Sequence, residues 1–196
     1  TLTTIAPETK DADFTWADFQ AKNNNELLAI LGNFINRTIV LTHKYYQGVI
    51  PELGTPTELE QEVLNKIKEF PTSIGNSIEK FRFREALAEY MNLARLGNKY
   101  LTDAEPWKKQ KENPEAVKTI LHVSLQICAA LSVLGEPFLP FTAKKIQNML
   151  NIDIHEWEKG GRTDLLKAGE KINSAEYLFE NIDDAKAAAQ ELGYPV

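Results

Sequence analysis

The chain has 196 residues, of which 43% are hydrophobic, and it carries a formal net charge of −6. This composition supports one hydrophobic core and argues against intrinsic disorder and against a protein that coats nucleic acid by phosphate neutralisation alone. No apolar run approaches the ~18–20 residues of a membrane span, no signal segment opens the chain, and the single cysteine, Cys128, excludes disulfides within the chain. We therefore expect a cytoplasmic protein with no membrane partner.

Helical periodicity begins early in the chain. Residues 1–15 are polar and irregular, and residues 15–23 predict a short helix. From position 24 to about position 46, apolar residues recur every three or four positions, which is typical of one long amphipathic helix. Gly48 and Pro51 then predict its end.

Further helices are predicted over residues 57–70, with a stop at Pro71, over residues 73–101 as one or two helices, and over residues 140–150. Between them, residues 113–137 begin with asparagine and proline in capping positions and are apolar on nearly every side. We expect this segment to be the central and most buried helix.

The pattern weakens after Asn151. The next stretch has glycines at 160, 161 and 169 and no sustained helical stripe, whereas residues 181–194 again favour a helix with an acidic first turn. No alternation is long enough to build a sheet. The sequence therefore predicts an all-α helical bundle with a less regular C-terminal appendage.

Motifs for catalysis and metal binding are missing from the sequence. His43, His122 and His155 are scattered, and there is no H-E-x-x-H, E-x-x-H, paired-cysteine, phosphate-loop or nucleophile-elbow pattern. We predict structural roles for the three histidines, and no catalytic residue, metal site or cofactor within the chain.

One helix face carries polar residues at regular spacing. Glu26, Ile30, Asn33 and Arg37 are separated by four, three and four positions, so they share a face beside the apolar stripe. Asparagine and arginine offer directional hydrogen bonds to base edges, and arginine also stacks on bases. Spacing alone favours the simpler alternative of a solvated helix flank.

The stretch "TDAEPWKKQK" is the second unusual place. Thr102 and Glu105 match a capping box, which predicts a new helix from Asp103 with Pro106 tolerated in its first turn. Trp107 would then stand near a helix start, where an exposed indole with lysines 108, 109 and 111 beside it could stack on a nucleic-acid base. The pattern alone favours the alternative of a hydrophobic plug at a helix corner.

Three segments taken in order resemble a known family. They are "FTWADFQAKNNNELLAILGNFINR", "REALAEYMNLARLGNKYLTDAEPW" and "LGEPFLPFTAKKIQNML". Over residues 7–150 they are similar to the anticodon-binding helical bundle of methionyl-tRNA synthetases. The later stretch "LLKAGEKINSAEYLFENID" resembles the segment that follows this bundle, although "SAEYLF" replaces the common lysine-proline.

The resemblance implies a class I ligase that activates methionine with ATP and joins it to its tRNA. The H-x-G-H and K-M-S-K-S signatures and a zinc-knuckle cysteine set do not occur in this sequence. We therefore expect a fragment that is inactive alone, with ATP and zinc belonging to an absent catalytic domain. Residues 1–15 would lead in from that domain, 16–151 would form the bundle, and 152–196 would pack on the bundle or on the catalytic domain.

The resemblance also assigns site residues and partners. Trp107 is expected to stack on an anticodon base, Arg37 and Asn24 to contact bases or backbone, and Asn33 to contact the RNA or support the fold. The implied partners are methionine tRNA with its CAU anticodon and the chain's own catalytic domain, with no DNA partner. Two alternatives stay open: a helical module that contacts only protein, and the anticodon domain of a sister class I ligase.

Overall fold

Helices form nearly all of the regular structure in the computed structural model, which describes residues 2–5, 8 and 13–184. The all-α prediction is confirmed, since the only β-type pairing among these residues is an isolated bridge between Val49 and Lys171. Two short 3-10 turns, Leu2–Ile5 and Trp157–Gly161, flank the bundle. In chain order its elements are α1 (Trp16–Lys22), a π-helical segment (Asn23–Gly32), α2 (Asn33–Tyr46), α3 (Glu58–Ile67), α4 (Phe70–Glu79), α5 (Phe83–Ala104), α6 (Pro106–Glu112), α7 (Pro114–Leu134) and α8 (Pro140–Leu150).

The first helix is continuous, whereas the sequence predicts two. It begins at Trp16, capped by the Thr15 hydroxyl, which accepts a hydrogen bond from the Asp18 N–H at 3.1 Å. It passes through the π-helical segment without a break because that segment keeps helical backbone angles at both of its ends. Gln47, with a φ of 56°, ends it immediately before Gly48, as the sequence predicts.

Pro71 begins a helix instead of ending one. It lies in the first turn of α4, where its missing N–H has no intrahelical partner to lose. Of the one or two helices predicted over residues 73–101, the structure has two, the rest of α4 and an α5 that continues to Ala104. Phe81, at a left-handed φ of 57°, lies in the connection between them.

The central helix is α7, as predicted. Every residue from Thr119 to Leu134 is buried, and α2, α3, α5, α6 and α8 all pack against α7. By length and hydropathy alone α7 is long enough to span a membrane, which corrects the sequence-based statement that no apolar run approaches that length. Because 94% of that window is buried inside the protein, α7 has the properties of a core helix.

Gly97 fixes how closely α5 approaches α2. A Cβ atom at this position would lie 2.5 Å from Cζ of Phe34, a ring with no exposed surface. We expect Gly97→Ala to lower the free energy of unfolding by about 1–3 kcal/mol, because overpacking outweighs the ~1 kcal/mol gained in helix propensity. Urea denaturation measures this change. Phe34→Leu in the same chain should recover part of the loss, and equal stability of the alanine variant would contradict the close packing.

Glu60 combines burial with capping of α3. Burial alone would raise the pKa of this carboxyl, but the Thr57 hydroxyl and N–H, with the Tyr100 hydroxyl, donate hydrogen bonds that lower the pKa overall. Burial and the Glu60 charge raise the pKa of Tyr100, so its hydroxyl stays protonated and donates. The stabilisation is therefore complete above the ordinary glutamate pKa of 4.5 and is lost as the pH falls through the lowered value.

We expect Glu60→Gln to reduce stability by about 1 kcal/mol at pH 7, because hydrogen bonds to a charged acceptor are the stronger ones. The difference from the unmodified chain should shrink below pH 4.5, the ordinary pKa. Urea midpoints measured from pH 3 to pH 7 check this. Glu112→Gln, at an exposed position, is the matched control, and a constant difference across that range would count against the linkage.

A buried polar network joins α7 to the C-terminal part of the chain. His122 donates from Nδ1 to the Pro51 carbonyl at 2.8 Å, and its Nε2 therefore accepts from the Gln126 amide at 3.1 Å. The Gln126 amide also donates to the Leu166 carbonyl and accepts from the N–H groups of Leu165 and Leu166. The described part of the C-terminal segment, 152–184, thus packs on the bundle, while most of the predicted 181–194 helix lies outside the described residues.

Candidate nucleic-acid interface

The interface begins at a sharp change of chain direction after α5. Glu105 takes the left-handed conformation, with φ 45° and ψ 56°, and the buried Pro106 begins α6. The predicted capping box is wrong, because Thr102 and Asp103 lie inside the last turn of α5. α5 continues to Ala104 because its apolar stripe does: Leu101 and Ala104 are both fully buried.

Trp107 emerges from this turn as the second residue of α6. Its side chain is 37% exposed, so it is not the buried plug that the pattern alone favours. The Arg37 guanidinium carbon lies over the ring, 5.1 Å from its centroid. A cation over an aromatic face contributes about 0.5–1 kcal/mol at exposed sites. The pair therefore holds an indole and a guanidinium together at the surface.

Asn33 lies one helical turn before Arg37 on α2. Its side chain is exposed, as is that of Val40, which follows Arg37 by three positions. Residues three and four apart share a helix face. The structure therefore brings Asn33, Arg37 and Trp107 into one surface, with amide, guanidinium and indole groups in sequence along it.

Asn24 does not join this surface. It lies thirteen positions before Arg37 on the same helix, which is about 15–20 Å along the axis. Its amide is already occupied by a reciprocal pair of hydrogen bonds with the backbone of Ile182, at 2.7 and 2.9 Å. Glu26, on the face noted in the sequence, forms an ion pair with Arg95 of α5. The structure thus gives Asn24 a contact with the C-terminal segment, and its contact with RNA stays a prediction.

Charge around Trp107 comes from the lysines of α6. Lys108 pairs with Glu105 at 2.7 Å, whereas Lys109 and Lys111 have no carboxylate partner within the described part of the chain. Lys111 follows Trp107 by four positions and shares its face. Gln110 was not predicted as part of this surface; its Oε1 is enclosed without a hydrogen-bond partner among the described residues. Its spacing of three from Trp107 was the available signal.

The histidines, the cysteine and the acidic groups of the described residues form no second candidate site of metal-binding type. No group of three His, Cys, Asp or Glu side chains could hold a metal ion there. His122 is part of the network with Gln126, His43 lies 2.9 Å from the Asn173 carbonyl, and burial raises the pKa of the Cys128 thiol. A cavity of about 580 Å³, lined by Phe19, Leu87, Met91, Arg95 and others, does not include the Trp107 surface.

Comparison with solved structures identifies the architecture. Over 93% of the chain the fold matches 38% of the apo methionyl-tRNA synthetase of Mycobacterium tuberculosis, with a TM-score of 0.85 at 19% identity. The first 39 residues also match the family model described as tRNA synthetases class I (M). The fold and sequence together therefore define a helical domain of the class I tRNA synthetases.

The particular family follows from the remainder of the chain. Residues 50–193 match the model described as the anticodon binding domain of methionyl tRNA ligase, and the chain belongs to this family. It is 60% identical over 185 residues to the methionine–tRNA ligase of Cytophaga hutchinsonii and 52% identical over 217 residues to that of Flavobacterium johnsoniae. These alignments cover 94% and 96% of the chain but only 27% and 30% of the two relatives.

Proposed function

We propose that the surface formed by Trp107, Arg37 and Asn33 binds the CAU anticodon loop of methionine tRNA. The observation that carries the proposal is the Arg37 guanidinium over the exposed Trp107 ring at a helix break. An anticodon loop presents unstacked bases, which proteins recognise by stacking on aromatic side chains and by hydrogen bonds to base edges. Trp107 supplies the stacking surface, while Arg37 and Asn33 supply the directional donors.

The proposal extends to the whole ligase. The chain would act within a cytoplasmic methionine–tRNA ligase, in which a catalytic domain activates methionine with ATP. Anticodon binding at a distance would contribute energy that positions the acceptor end of the tRNA for reaction. ATP and zinc belong to that domain in this proposal, and no step assigned here to the described residues uses them.

The direct test is a titration of labelled 17-nucleotide anticodon stem-loops with the 196-residue chain. We expect the loop with CAU to bind more tightly than loops with a single changed anticodon base, because a mispaired polar contact leaves a group unsatisfied. Equal affinity for all loops would refute anticodon recognition. A preference for another anticodon would favour a sister ligase, and no binding would favour a module that contacts only protein, for which Phe141, 85% exposed, is available.

The affinity of this chain for the stem-loop should depend only weakly on salt concentration, compared with other nucleic-acid-binding proteins. With a net charge of −6 and Arg37, Lys109 and Lys111 as the local cations, few phosphates can be neutralised. Two or three contacts to single-stranded RNA predict a slope of log K against log salt of about −1.5 to −2. Titrations between 50 and 200 mM KCl check this. A slope steeper than about −4 would require about six phosphate contacts, more than these three cations supply, and would contradict the prediction.

A further inference from the structure

Contacts between the first long helix and α5 form an ordered series. Glu26 pairs with Arg95, the Ile30 carbonyl accepts from the Asn98 amide at 2.6 Å, and the Phe34 ring packs against Gly97. Arg37 then lies over Trp107, just past the end of α5. From Glu26–Arg95 through Ile30–Asn98 to Arg37–Trp107 the positions increase on both sides, and the long Phe34 ring reaches back to Gly97, so the two helices run side by side in the same direction towards the RNA surface.

The first two contacts fall within the π-helical segment. Asn33, at its end, donates its N–H to the Leu28 carbonyl five residues back, and also towards Ile30. π-helices are usually single turns and often occur at functional sites, so a segment of ten residues is unusual. The Ile30 carbonyl thus accepts from the Asn33 N–H within its own helix and, as a second donor from outside it, from the Asn98 amide of α5.

Asn98 does not belong to the RNA surface. It lies on α5 seven positions before Glu105, half-buried, and its amide is directed at the backbone of the π-helical segment. The Ile30 carbonyl that it contacts lies two helical turns before Arg37 on the first long helix. Packed helices behave as rigid elements. A side chain that fixes the position of one helix along another therefore also sets the contacts further along the same pair of helices.

We propose that Asn98 is a positioning residue for the RNA surface: by holding the Ile30 carbonyl it fixes the register of α2 against α5, and so places Arg37 over Trp107. This inference rests on the proposed function for its RNA readout. Without the Asn98 donor, the π-helical segment loses an external hydrogen bond and its preference for this register. Arg37 then spends less time over the indole, and the surface is less well formed before RNA arrives.

The test uses the 196-residue chain with Trp16→Phe and Trp157→Phe, so that Trp107 is the only tryptophan. Asn98→Asp keeps the shape but removes the donor, and Asn98→Ala is a second variant without a new charge. Asn65→Asp, at an exposed position of α3 away from these contacts, is the matched control. Both Asn98 variants should change the emission of Trp107 in the free protein and weaken stem-loop binding about five- to tenfold, at urea midpoints that keep the protein folded.

A double-mutant cycle separates positioning from simple destabilisation. In an Arg37→Ala background the Asn98 variants should have almost no further effect on binding, because the residue acts through Arg37. Full additivity of the two changes, or an unchanged Trp107 emission, would overturn the inference. If the unmodified chain binds no stem-loop, the proposed function fails by itself, and the emission of Trp107 still decides the positioning role.

Discussion

Replacing Trp107 with alanine is expected to weaken binding of the CAU stem-loop by about 10- to 100-fold, because base–aromatic stacking contributes about 1–3 kcal/mol per base. Trp107→Phe should retain most of the affinity, since a phenyl ring still offers a stacking face. Fluorescence anisotropy of a labelled stem-loop measures both variants. The expected effect is large because the ring is exposed and already oriented by Arg37.

The matched control is Trp16→Ala, which removes a partly exposed indole from the aromatic cluster of Phe14 and Phe19. Its affinity for the stem-loop should equal that of the unmodified chain. In a full-length ligase that contains this chain, Trp107→Ala should lower tRNA charging while methionine-dependent ATP–pyrophosphate exchange stays nearly intact. Unchanged charging would remove Trp107 from the site.

Replacing Gln126 with leucine is expected to cause the largest loss of stability, about 3–4 kcal/mol, because buried polar groups would lose their partners in a low-dielectric core. Gln126 has no exposed surface and bonds to His122, Leu165 and Leu166. Leucine has a similar size, so little of the loss would come from a cavity. Urea denaturation followed by circular dichroism measures the change.

Trp157 provides a second measure of how the C-terminal segment packs on the bundle. Its indole N–H donates to the Pro71 carbonyl at 3.1 Å, so its emission follows docking of the C-terminal segment on α4. In Gln126→Leu this emission should change at lower urea than the helical signal does. Gln61→Leu, at an exposed position of α3, is the control. Equal urea midpoints for Gln126→Leu and the unmodified chain would show that the network adds nothing to stability.

The sequence predicted the elements whose cause is local. The apolar α7 follows from its composition, and the end of the first long helix near Gly48 follows from the glycine and proline after it, all visible within a few residues. Trp107 was different, because its local pattern favoured a buried plug. Only the resemblance of the surrounding segments predicted an exposed role for the ring.

Contacts between distant parts of the chain could not be predicted from the sequence. No local pattern reveals that the Ile182 backbone, 158 residues later, forms hydrogen bonds with the Asn24 amide. The π-helical segment was not predicted from its residue types, and one of its carbonyls bonds to Asn98 of the distant α5. The turn at Glu105 was misplaced because a left-handed glutamate is rare, and the buried stripe of α5 overrides the capping residues at Thr102.

The unbroken helix from Trp16 to Tyr46 has a mechanical consequence. Its first 24 residues fall within the match to the class I synthetase model, and the match to the anticodon-binding model starts at residue 50, just beyond its end. This helix is about 40 Å long and contains no proline, and only the turn at Gln47 and Gly48 separates its end from the second matched region. Because Trp16 and Arg37 lie on one continuous helix, a tilt of the helix at the Trp16 end is transmitted directly to the position of Arg37.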